Sequence, residues 1–600
     1  MEEGSFRTLL FFRYGGLFVA GADLLSESLR LPGVRRVGRY SPRLFLGIVL
    51  PLVLLAALPD SATANSDSSG TAAKEPQEVK AASANNPASP KFDILEYRVL
   101  GNSALPAPDI ERAVYAFLGK EKTLADVEAA RLALETKYHE RGFGTVFVDI
   151  PEQSVNEGIV RLRVTEGKLA RVSVGGAHYF SERQIRDALP EASVGTVPNL
   201  PVLQSELSQA NALTGDRAVT PILKAGAAPG AVDLTLRVDD HLPFHGSLEL
   251  NNQYTTDTSP LRAIGTVSYD NLFGRADSFS LQYQISPQDT SQVKVLVANL
   301  LMHIADERLA FYFLHSDSAV AALNTSTTTG GAVESTELGI FGRGYAYGAR
   351  LILGVENTAE TTQNVTLSAE YKDFLQAINP LSNPDPNNPS APLDTPVRYI
   401  NLSADYGGFW RGARLQQSFD TSVNFGLRNL ASSVSEFENK RFEGHPNYFY
   451  VRSSYSIGAH LPADFTILVR LSGQVAVEPL ISNEQFSIAG ADGVRGYLEA
   501  EELADKALKG TVQLGSPRWK FWKGSDYAEI FVFYDGGVIE TIDPLPQEPA
   551  SATLRSWGSG LNLSFFDHLT GSLTWAKALT EGSITHRGDS RFLFSVRGTW

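Results

Sequence analysis

Cysteine is missing from all 600 residues of the sequence. A thiolate nucleophile, a metal site with cysteine ligands and a disulfide framework are therefore excluded. The absence of cysteine also suits proteins that cross an oxidising periplasm before they fold. Any chemistry in this protein must come from other side chains.

Positive charge is scarce as well, with 52 Lys and Arg against 67 Asp and Glu and a formal net charge of -15 spread along the chain. Without a basic stripe to contact phosphates, nucleic acid is not the expected partner. The sequence has no G-x-x-x-x-G-K-[ST], G-x-S-x-G or H-E-x-x-H motif, and its ten histidines show no ligand spacing. We interpret Glu501 and Glu502 as a solvated loop face. The sequence thus predicts no catalytic residue, cofactor or metal site.

Long apolar runs are missing with one exception near the N-terminus. No stretch reaches the roughly 18–20 apolar residues of a membrane-spanning helix. The exception is LFLGIVLPLVLLAALP at residues 44–59, which follows several arginines and precedes an Ala-Thr-Ala sequence. This order is typical of a secretory signal peptide. We predict an exported protein with a long leader, residues 1–64, and a linker poor in large apolar side chains, residues 65–91.

An internal repeat follows, in residues 92–166 and 168–240. Each half has the order strand, helix, helix, strand, strand, and Gly175 is predicted to take the place of Gly101 seventy-four residues later. This pattern predicts two small α+β modules in tandem. Exposed edge strands of such modules can accept an extended peptide by strand addition.

The second helix of the first module has clear boundaries in the sequence. Thr123 and Asp126 form a capping box at its start, and Gly142 ends it. Four residues of the helix are predicted to share its buried face: Val127, Ala130, Leu134 and Tyr138.

From residue 243 to residue 600, segments of about ten residues alternate between apolar and polar side chains. Turns rich in Asn, Asp, Gly and Pro separate them. We count about 16 strands, treating residues 337–355 as one strand, and we interpret the proline-rich residues 378–396 as a long disordered surface loop. A soluble sandwich or propeller would bury the apolar faces, whereas a membrane barrel turns them toward lipid.

The last strand, RFLFSVRGTW, favours the barrel. Its apolar face carries four aromatic or aliphatic residues: Phe592, Phe594, Val596 and Trp600. A terminal aromatic residue after an alternating strand resembles the C-terminal assembly signal of bacterial outer-membrane barrels. Together with the export signal and the even strand count, it predicts a transmembrane β-barrel of about 16 antiparallel strands preceded by two α+β modules.

Two short motifs make the resemblance to a family specific: VRGY at residues 494–497 and FYDGG at residues 533–537. With the signal, the modules and the barrel, they make the chain similar to the two-partner secretion transporters. These are the hemolysin/hemagglutinin secretion-activation proteins of the Gram-negative outer membrane, in the POTRA-barrel superfamily. The resemblance covers roughly residues 92–600 and implies two periplasmic POTRA-like modules. Members can carry an N-terminal plug helix, for which residues 65–91 show no helical pattern.

By this resemblance, VRGY lies on an extracellular loop, around residues 486–509, that folds back into the barrel lumen. An unpaired Arg495 would be costly there, and Asp535 faces the same lumen. Gly496 is expected to allow close approach to the wall, and Tyr497 to wedge the tip of the loop. The resemblance implies a lock between loop and wall made by the following residues: Val494, Arg495, Gly496, Tyr497, Phe533, Asp535 and Gly537. A salt bridge that only helps the barrel fold is the alternative interpretation.

The family resemblance also implies the partners. A secreted exoprotein would dock on the modules through an N-terminal secretion domain and thread outward through the barrel. Outer-membrane lipid would surround the barrel, and the barrel assembly machinery and periplasmic chaperones would act during biogenesis. Three other functions stay open: an assembly factor for other barrels, which usually carries more modules; a barrel-anchored enzyme; and a passive porin, which needs no modules.

Overall fold

The structure is a computed structural model, and it describes residues 91–600 apart from 156, 257, 305–306, 319–320, 330–331, 359, 379–392, 522–525 and 547. The predicted leader, residues 1–64, and residues 65–90 of the predicted linker lie outside the described residues. Among the described helices, none is both long enough and apolar enough to cross a bilayer.

The first module packs two helices against a three-stranded sheet. Its elements are β1 (Phe92–Ile94), β2 (Glu96–Leu100), α1 (Ala107–Val114), β3 (Gly119–Lys122), α2 (Leu124–Glu140), β4 (Val146–Asp149) and β5 (Ile159–Glu166). In the sheet order β2-β5-β4, β2 is parallel to β5 and β4 is antiparallel to it, while β1 pairs with β3. The capping box of Thr123 and Asp126 is present at the start of α2. All four residues predicted to share the buried face of α2 are buried.

The second module repeats this arrangement. Its elements are β6 (Lys168–Gly175), α3 (Glu182–Asp187), α4 (Leu200–Ala212), β7 (Arg217–Ala225) and β8 (Ala231–Asp240). The sheet order is β6-β8-β7, again with one parallel and one antiparallel pair. Each module has its own buried apolar core.

The glycine equivalence between the modules differs from the prediction by one residue. Gly101 has φ +87° and a Cβ there would lie 2.5 Å from the Val164 carbonyl oxygen. In the second module the same geometry belongs to Gly176, with φ +90° and 2.3 Å to the Val238 oxygen. The predicted Gly175 is still in β6, because a bulge early in that strand adds one residue that the sequence pattern does not reveal.

The barrel domain follows directly. In chain order its elements are β9 (Phe244–Asn251), β10 (Arg262–Leu272), β11 (Asp277–Ile285), β12 (Lys294–Ile304), β13 (Glu307–Ser316), β14 (Ala321–Thr329), β15 (Ala332–Phe341), β16 (Arg343–Asn357), β17 (Thr361–Ile378), β18 (Leu393–Arg411), β19 (Leu415–Ala431), α5 (Val434–Lys440), β20 (Phe449–His460), β21 (Thr466–Ala476), β22 (Phe486–Ser487), β23 (Leu503–Ala504), β24 (Lys506–Gly515), β25 (Trp519–Lys520), β26 (Tyr527–Glu540), β27 (Ser551–Phe565), β28 (Leu569–Ala578) and β29 (Ser590–Thr599).

Sixteen of these strands form a closed antiparallel ring, with β29 paired to β9. The two-residue β25 pairs with β26 but is too short to count as a further strand of the wall. β14 pairs only with β15, and β22 pairs with β23. The strand count of about 16 is confirmed, and closure leaves no sheet edge to face lipid.

Two predicted boundaries in the barrel are wrong. Residues 337–355 are not one strand, because β15 belongs to a separate hairpin whereas β16 pairs with β13 and β17. A single residue, Gly342, lies between the two strands, so no separate loop marks the junction in the sequence. The predicted loop at residues 378–396 is also too long, since Ile378 belongs to β17, residues 393–396 belong to β18, and Ile378 pairs with Leu393. Residues 379–392 of that loop lie outside the described residues.

The position of the modules sets the direction of every strand. Three residues separate the end of β8 from the start of β9, so the first residue of β9 marks the barrel end next to the modules. Each antiparallel strand crosses the barrel once, and β21 is the eleventh strand of the ring. The chain that leaves β21 therefore emerges at the end far from the modules.

Candidate functional site

The chain between β21 and β24, residues 477–505, folds back against the inside of the wall. Its short strands β22 and β23 pair with each other, and Val494 and Tyr497 are fully buried. We call residues 477–505 the lumen loop. It begins earlier than the predicted residue 486 and ends before 509, because residues 506–509 already pair within β24.

The alternation of β26 decides which side chains meet this loop. Ile530, Val532 and Tyr534 are 44%, 50% and 48% exposed on the outer face. Phe533 and Asp535 lie buried on the inner face between them. This is the predicted orientation of the FYDGG segment, and it aims the Asp535 carboxylate into the lumen.

Arg495 and Asp535 form a two-pronged ion pair. The Arg495 Nε lies 2.8 Å from Oδ2 of Asp535, and Nη2 lies 2.9 Å from Oδ1. The backbone N–H of Arg495 donates to the same carboxylate at 3.1 Å, and its Nη1 donates to Gln513 at 3.1 Å. The Asp535 side chain is fully buried. The sequence predicted the pair but not Gln513, whose position on β24 alone gives no sign of this contact.

An aromatic surface lies under the guanidinium of Arg495. Its central carbon is 3.4 Å from the centroid of the Phe533 ring and 5.9 Å from that of Phe531. Such a stack adds cation–π attraction to the ion pair. Two glycines of β27 make room for the rings, since a Cβ would lie 2.6 Å from Phe533 at Gly558 and 2.2 Å from Phe531 at Gly560. Their spacing of two residues in WGSGL could have predicted this contact with the rings, but we did not use it in the sequence-based prediction.

Gly537 explains why the wall motif ends in glycine. A Cβ at this position would lie 3.0 Å from Ile488 and 3.2 Å from Val494, both in the lumen loop. Ile488 and Val494 are fully buried. The loop therefore packs directly on the backbone of β26 at this point.

Gly496 and Tyr497 bring the loop to a second part of the wall. Gly496 has φ +105° and lies against β28, where a Cβ would be 3.5 Å from Ala576. The hydroxyl of Tyr497 lies 3.0 Å from the Arg555 carbonyl oxygen and 2.8 Å from that of Thr580. Arg591 donates to the Tyr497 carbonyl oxygen. Tyr497, which was expected to wedge the tip of the loop, is thus buried, and its hydroxyl is hydrogen-bonded to the wall.

The adjacent carboxylates Glu501 and Glu502 are not a solvated face, contrary to the prediction. Glu501 accepts from the backbone N–H groups of Ile584 at 3.0 Å and Thr585 at 2.7 Å. Glu502 accepts from the Ser583 N–H at 2.8 Å. Both carboxylates join the lumen loop to the β28–β29 connection, a contact that the folded barrel creates.

A polar cavity lies beside the ion pair. It has a volume of about 200 Å³, and its lining comprises Gln253, Ala491, Asp492, Arg495, Gln513, Phe531, Asn562, Ser572, Thr574, Leu593, Phe594 and Ser595. Amide, hydroxyl and charged groups dominate this lining. The lumen next to the lock is therefore suited to water rather than to apolar ligands.

One cluster of a histidine and two aspartates was not predicted from the sequence. At the junction of the second module and the barrel, His245 Nε2 lies 2.9 Å from Asp216 and 3.5 Å from Asp270. The ligand atoms of these three residues lie within 4.8 Å of one another, a spacing that a metal ion could use. The same distances suit an imidazole shared by two carboxylates, which connects the residue just before β7 to the rim of the barrel.

Two family descriptions match the sequence. "POTRA domain, ShlB-type" matches residues 92–167, and "Haemolysin secretion/activation protein ShlB/FhaC/HecB" matches residues 398–564. The second match includes both the lumen loop and the wall strand that binds it. The chain belongs to the two-partner secretion transporters.

Relatives of this transporter cover most of its length. It is 22% identical to the outer membrane transporter CdiB of Dickeya dadantii, over 72% of this chain and 73% of that protein. It is also 22% identical to the heme/hemopexin transporter protein HuxB of Haemophilus influenzae, over 85% of this chain and 87% of that one.

Solved structures share the fold. CdiB from Escherichia coli has a TM-score of 0.59 and 16% sequence identity, over 94% of this chain and 100% of that one. BamA from Haemophilus ducreyi lacking POTRA domains 1–3 has a TM-score of 0.51 and 13% identity, over 85% of this chain and 100% of that one. The transporter is an outer-membrane β-barrel with its POTRA modules in the periplasm, so the lumen loop starts on the extracellular side.

The C-terminal strand of the transporter closes the ring. On β29, Phe592, Val596 and Trp600 are 65%, 45% and 60% exposed, which fits a lipid-facing side. Phe594 is half-buried on the same strand. Trp600 and Gly246 exchange two backbone hydrogen bonds of 3.0 Å, which join the last residue of the chain to β9.

Proposed function

We propose that this two-partner secretion transporter binds its exoprotein on the two periplasmic modules and passes it outward beside a lumen loop that Arg495 and Asp535 hold in place. The observation that carries this proposal is the buried, two-pronged ion pair between the tip of the loop and the inner wall. No residue is assigned a catalytic role, since passage of an unfolded chain needs no chemical step.

An ion pair suits a lock that must open. Removing one partner of a buried pair costs about 3–5 kcal/mol, because the other charge stays buried and unpaired. When water enters, the same attraction weakens strongly, since its strength depends on the local dielectric. The polar cavity beside Arg495 has room for the water that this change needs. Hydration during transport would then release the loop.

The modules offer the docking surface in this proposal. In residues 92–166 the sheet edges are β2 and β4, and in residues 168–240 they are β6 and β7. An extended segment of the exoprotein can add to such an edge through backbone hydrogen bonds, largely independent of its sequence. Asn271 on the barrel rim donates to the Tyr179 carbonyl oxygen at 3.1 Å, so the second module is held at the lumen entrance.

Biogenesis of the barrel involves further partners in our proposal. The assembly machinery would recognise β29 through its outward aromatic residues, after periplasmic chaperones deliver the unfolded chain. Lipid then replaces these contacts on the outer face of the closed barrel, where apolar side chains lie exposed.

The first test is deletion of the gene, followed by comparison of the culture medium with the outer membrane. Loss of one large secreted protein from the medium, with other barrels at normal levels, is the expected result. General depletion of outer-membrane barrels with an unchanged medium would instead indicate a barrel assembly factor. Re-expression of the intact transporter must restore secretion.

A further inference from the structure

We propose that the lumen loop has a second latch, on another part of the wall, in which Glu484 is the positioning residue. This inference rests on the proposed function, because a latch matters only if the loop moves during transport. The Glu484 side chain is 2% exposed although it lies on a loop inside a pore. It is eleven residues before Arg495 in the sequence. We call residues 477–485, between β21 and β22, the limb of the loop, and residues 488–502, between β22 and β23, its tip. Glu484 belongs to the limb.

Three donors surround the Glu484 carboxylate. Lys372 Nζ lies 2.7 Å from Oε1, and the Tyr399 hydroxyl donates to the same oxygen at 2.6 Å. The Tyr450 hydroxyl donates to Oε2 at 2.7 Å. These donors come from β17, β18 and β20, so three wall strands converge on one loop carboxylate. Hydrogen bonds to a charged acceptor are the strong kind.

The charges of the wall are balanced only when Glu484 is present. Lys372 also lies 3.5 Å from Glu370, and Glu370 pairs with Arg350 at 2.9 Å. Arg350 also interacts with the charge of Asp405, and Lys372 with that of Arg452. The wall group alone thus has three cations and two carboxylates, and Glu484 supplies the third carboxylate. Withdrawal of the loop would leave an excess positive charge that only incoming water could stabilise. The latch is therefore strong when dry and weak when hydrated.

Apolar packing supports the same limb. Leu480 and Ile481 are 1% and 2% exposed, in a cluster with Tyr399, Phe437 and Tyr448. The Glu484 carbonyl oxygen accepts from Gln474 at 3.1 Å. The limb is consequently seated in the wall rather than suspended in the lumen.

The two attachment sites lie far apart around the ring. From β17, which carries Lys372, to β28, which contacts Gly496, the ring order runs through eight strand-to-strand steps out of sixteen. The loop therefore spans the lumen from one side to the other. Release of Arg495 would at most loosen the tip, and the limb at Glu484 would still cross the pore. Opening the full lumen requires both latches to release.

The absence of cysteine makes the test direct. Single cysteines replace Ile481, which reports on the limb, or Ala489, which is 5% exposed and reports on the tip. The rate of reaction with a membrane-impermeant maleimide is measured on intact cells and on purified transporter without exoprotein. Combined with Tyr450→Phe or Glu484→Gln, labelling at 481 should accelerate about tenfold, the size expected for one hydrogen bond to a charged group. Labelling at 489 should stay unchanged in these variants. In Arg495→Ala, labelling at 489 should accelerate and labelling at 481 should stay unchanged.

Matched controls separate a latch from general loosening. Tyr455 lies on β20 like Tyr450 but on the other face of that strand, and its hydroxyl donates to Gln417 of β19. Tyr455→Phe removes that hydrogen bond. Glu438→Gln removes an exposed carboxylate of α5. Neither variant should change labelling at 481.

Three results would overturn the proposal. One is unchanged labelling at 481 in folded Glu484→Gln, and another is an equal rise at 481 and 489, which would make the loop a single unit. The third is a rise at 481 in the Tyr455→Phe control. If Glu484→Gln fails to insert, Tyr450→Phe loses only one hydroxyl and keeps the experiment decisive. Secretion by Arg495→Ala is scored separately, so failure of the proposed function is distinguishable from failure of the second latch.

Discussion

Arginine at position 495 uses geometry that lysine lacks. Its planar guanidinium binds both oxygens of Asp535, donates a third bond to Gln513 and lies over the Phe533 ring. A lysine ammonium is a single point charge and cannot make the paired bonds or the stack at once. At the scale of one residue, the specificity of the lock therefore depends on shape as well as charge.

Substitution of Arg495 should separate the two interpretations of the pair. We expect Arg495→Ala to insert as a folded barrel but to secrete at least about tenfold less exoprotein, since Asp535 left buried without its partner destabilises the loop position by about 3–5 kcal/mol. Arg495→Lys should fall between this variant and wild type. Exoprotein in the medium and heat-modifiable mobility of the barrel are the measurements.

The control for Arg495 is Arg587→Ala, which removes an exposed arginine from the β28–β29 connection. Normal secretion by Arg495→Ala would refute the lock. A barrel that never reaches the membrane would show that the ion pair is chiefly structural.

Neighbouring glycines of β26 provide a second test at this scale. Gly537→Val should push Ile488 and Val494 off the wall, because even a Cβ would lie 3.0 Å from Ile488. Overpacking of this kind costs about 1–3 kcal/mol. Faster maleimide labelling of a cysteine at position 489 is the expected readout. Gly536→Val is the control, since a Cβ there has no neighbour within 4 Å; equal effects of both variants would contradict the packing argument.

At the scale of elements, the two modules use the same acidic device to hold a turn. Glu166 at the end of β5 accepts from the backbone and side chain of Ser103 and from the Ala104 N–H. Asp240 at the end of β8 accepts from three consecutive backbone N–H groups, of residues 178–180. Each carboxylate thus joins the last strand of its module to the turn after the strand parallel to it, β2 in the first module and β6 in the second.

The same device predicts acid sensitivity of the first module. Burial alone would raise the pKa of Glu166, but the hydrogen bonds from Ser103 and Ala104 outweigh it and hold the pKa below its usual value. Because the unfolded state then binds the proton more tightly, the stabilisation is complete above a pH of about 4.3 and is lost as the pH falls through the folded-state pKa.

Hydrogen exchange on the full-length transporter in detergent measures this effect. After correction for intrinsic rates, the amides of residues 103–104 should exchange faster at a pH of about 3 than at about 7. Glu166→Gln should exchange fast at both values, whereas Glu152→Gln, at an exposed position, should behave as wild type. If the wild-type turn exchanges equally at both values, this carboxylate does not hold it.

At the scale of the whole molecule, one contact lies at the seam where β29 pairs with β9 and closes the ring. Trp600 exchanges backbone hydrogen bonds with Gly246, and its indole covers the face of β9 where a side chain would stand. A Cβ at Gly246 would lie 2.2 Å from the indole ring. The terminal aromatic residue and this glycine therefore form one closing joint, 354 positions apart in the sequence.

Closure is tested by Gly246→Val. We expect the branched side chain to displace Trp600 and to reduce sharply the amount of heat-modifiable, folded barrel in the outer membrane. Gly265→Val on β10 has open space around its Cβ position and should insert normally. Normal insertion of both variants would mean that the Trp600 ring is dispensable for closure.

Strand alternation, which has a period of two, made much of this architecture predictable. It revealed the barrel, the outer face of β29 and the inward direction of Asp535, because each depends only on nearest neighbours in the chain. The pairing of Arg495 with Asp535 was predicted from VRGY and FYDGG, through their resemblance to the motifs of a family. The capping box at Thr123 was equally local and was confirmed.

Other features depend on which strands become neighbours, and only the tertiary structure decided them. Glu484 meets Lys372 across 112 residues and Tyr399 across 85, and in the sequence all three resemble ordinary polar or strand residues. The glycines at 558 and 560, the His245 junction and the true extent of the lumen loop are of the same kind. The physical reason is that alternation determines which face a side chain takes, whereas register and ring closure determine what that side chain meets.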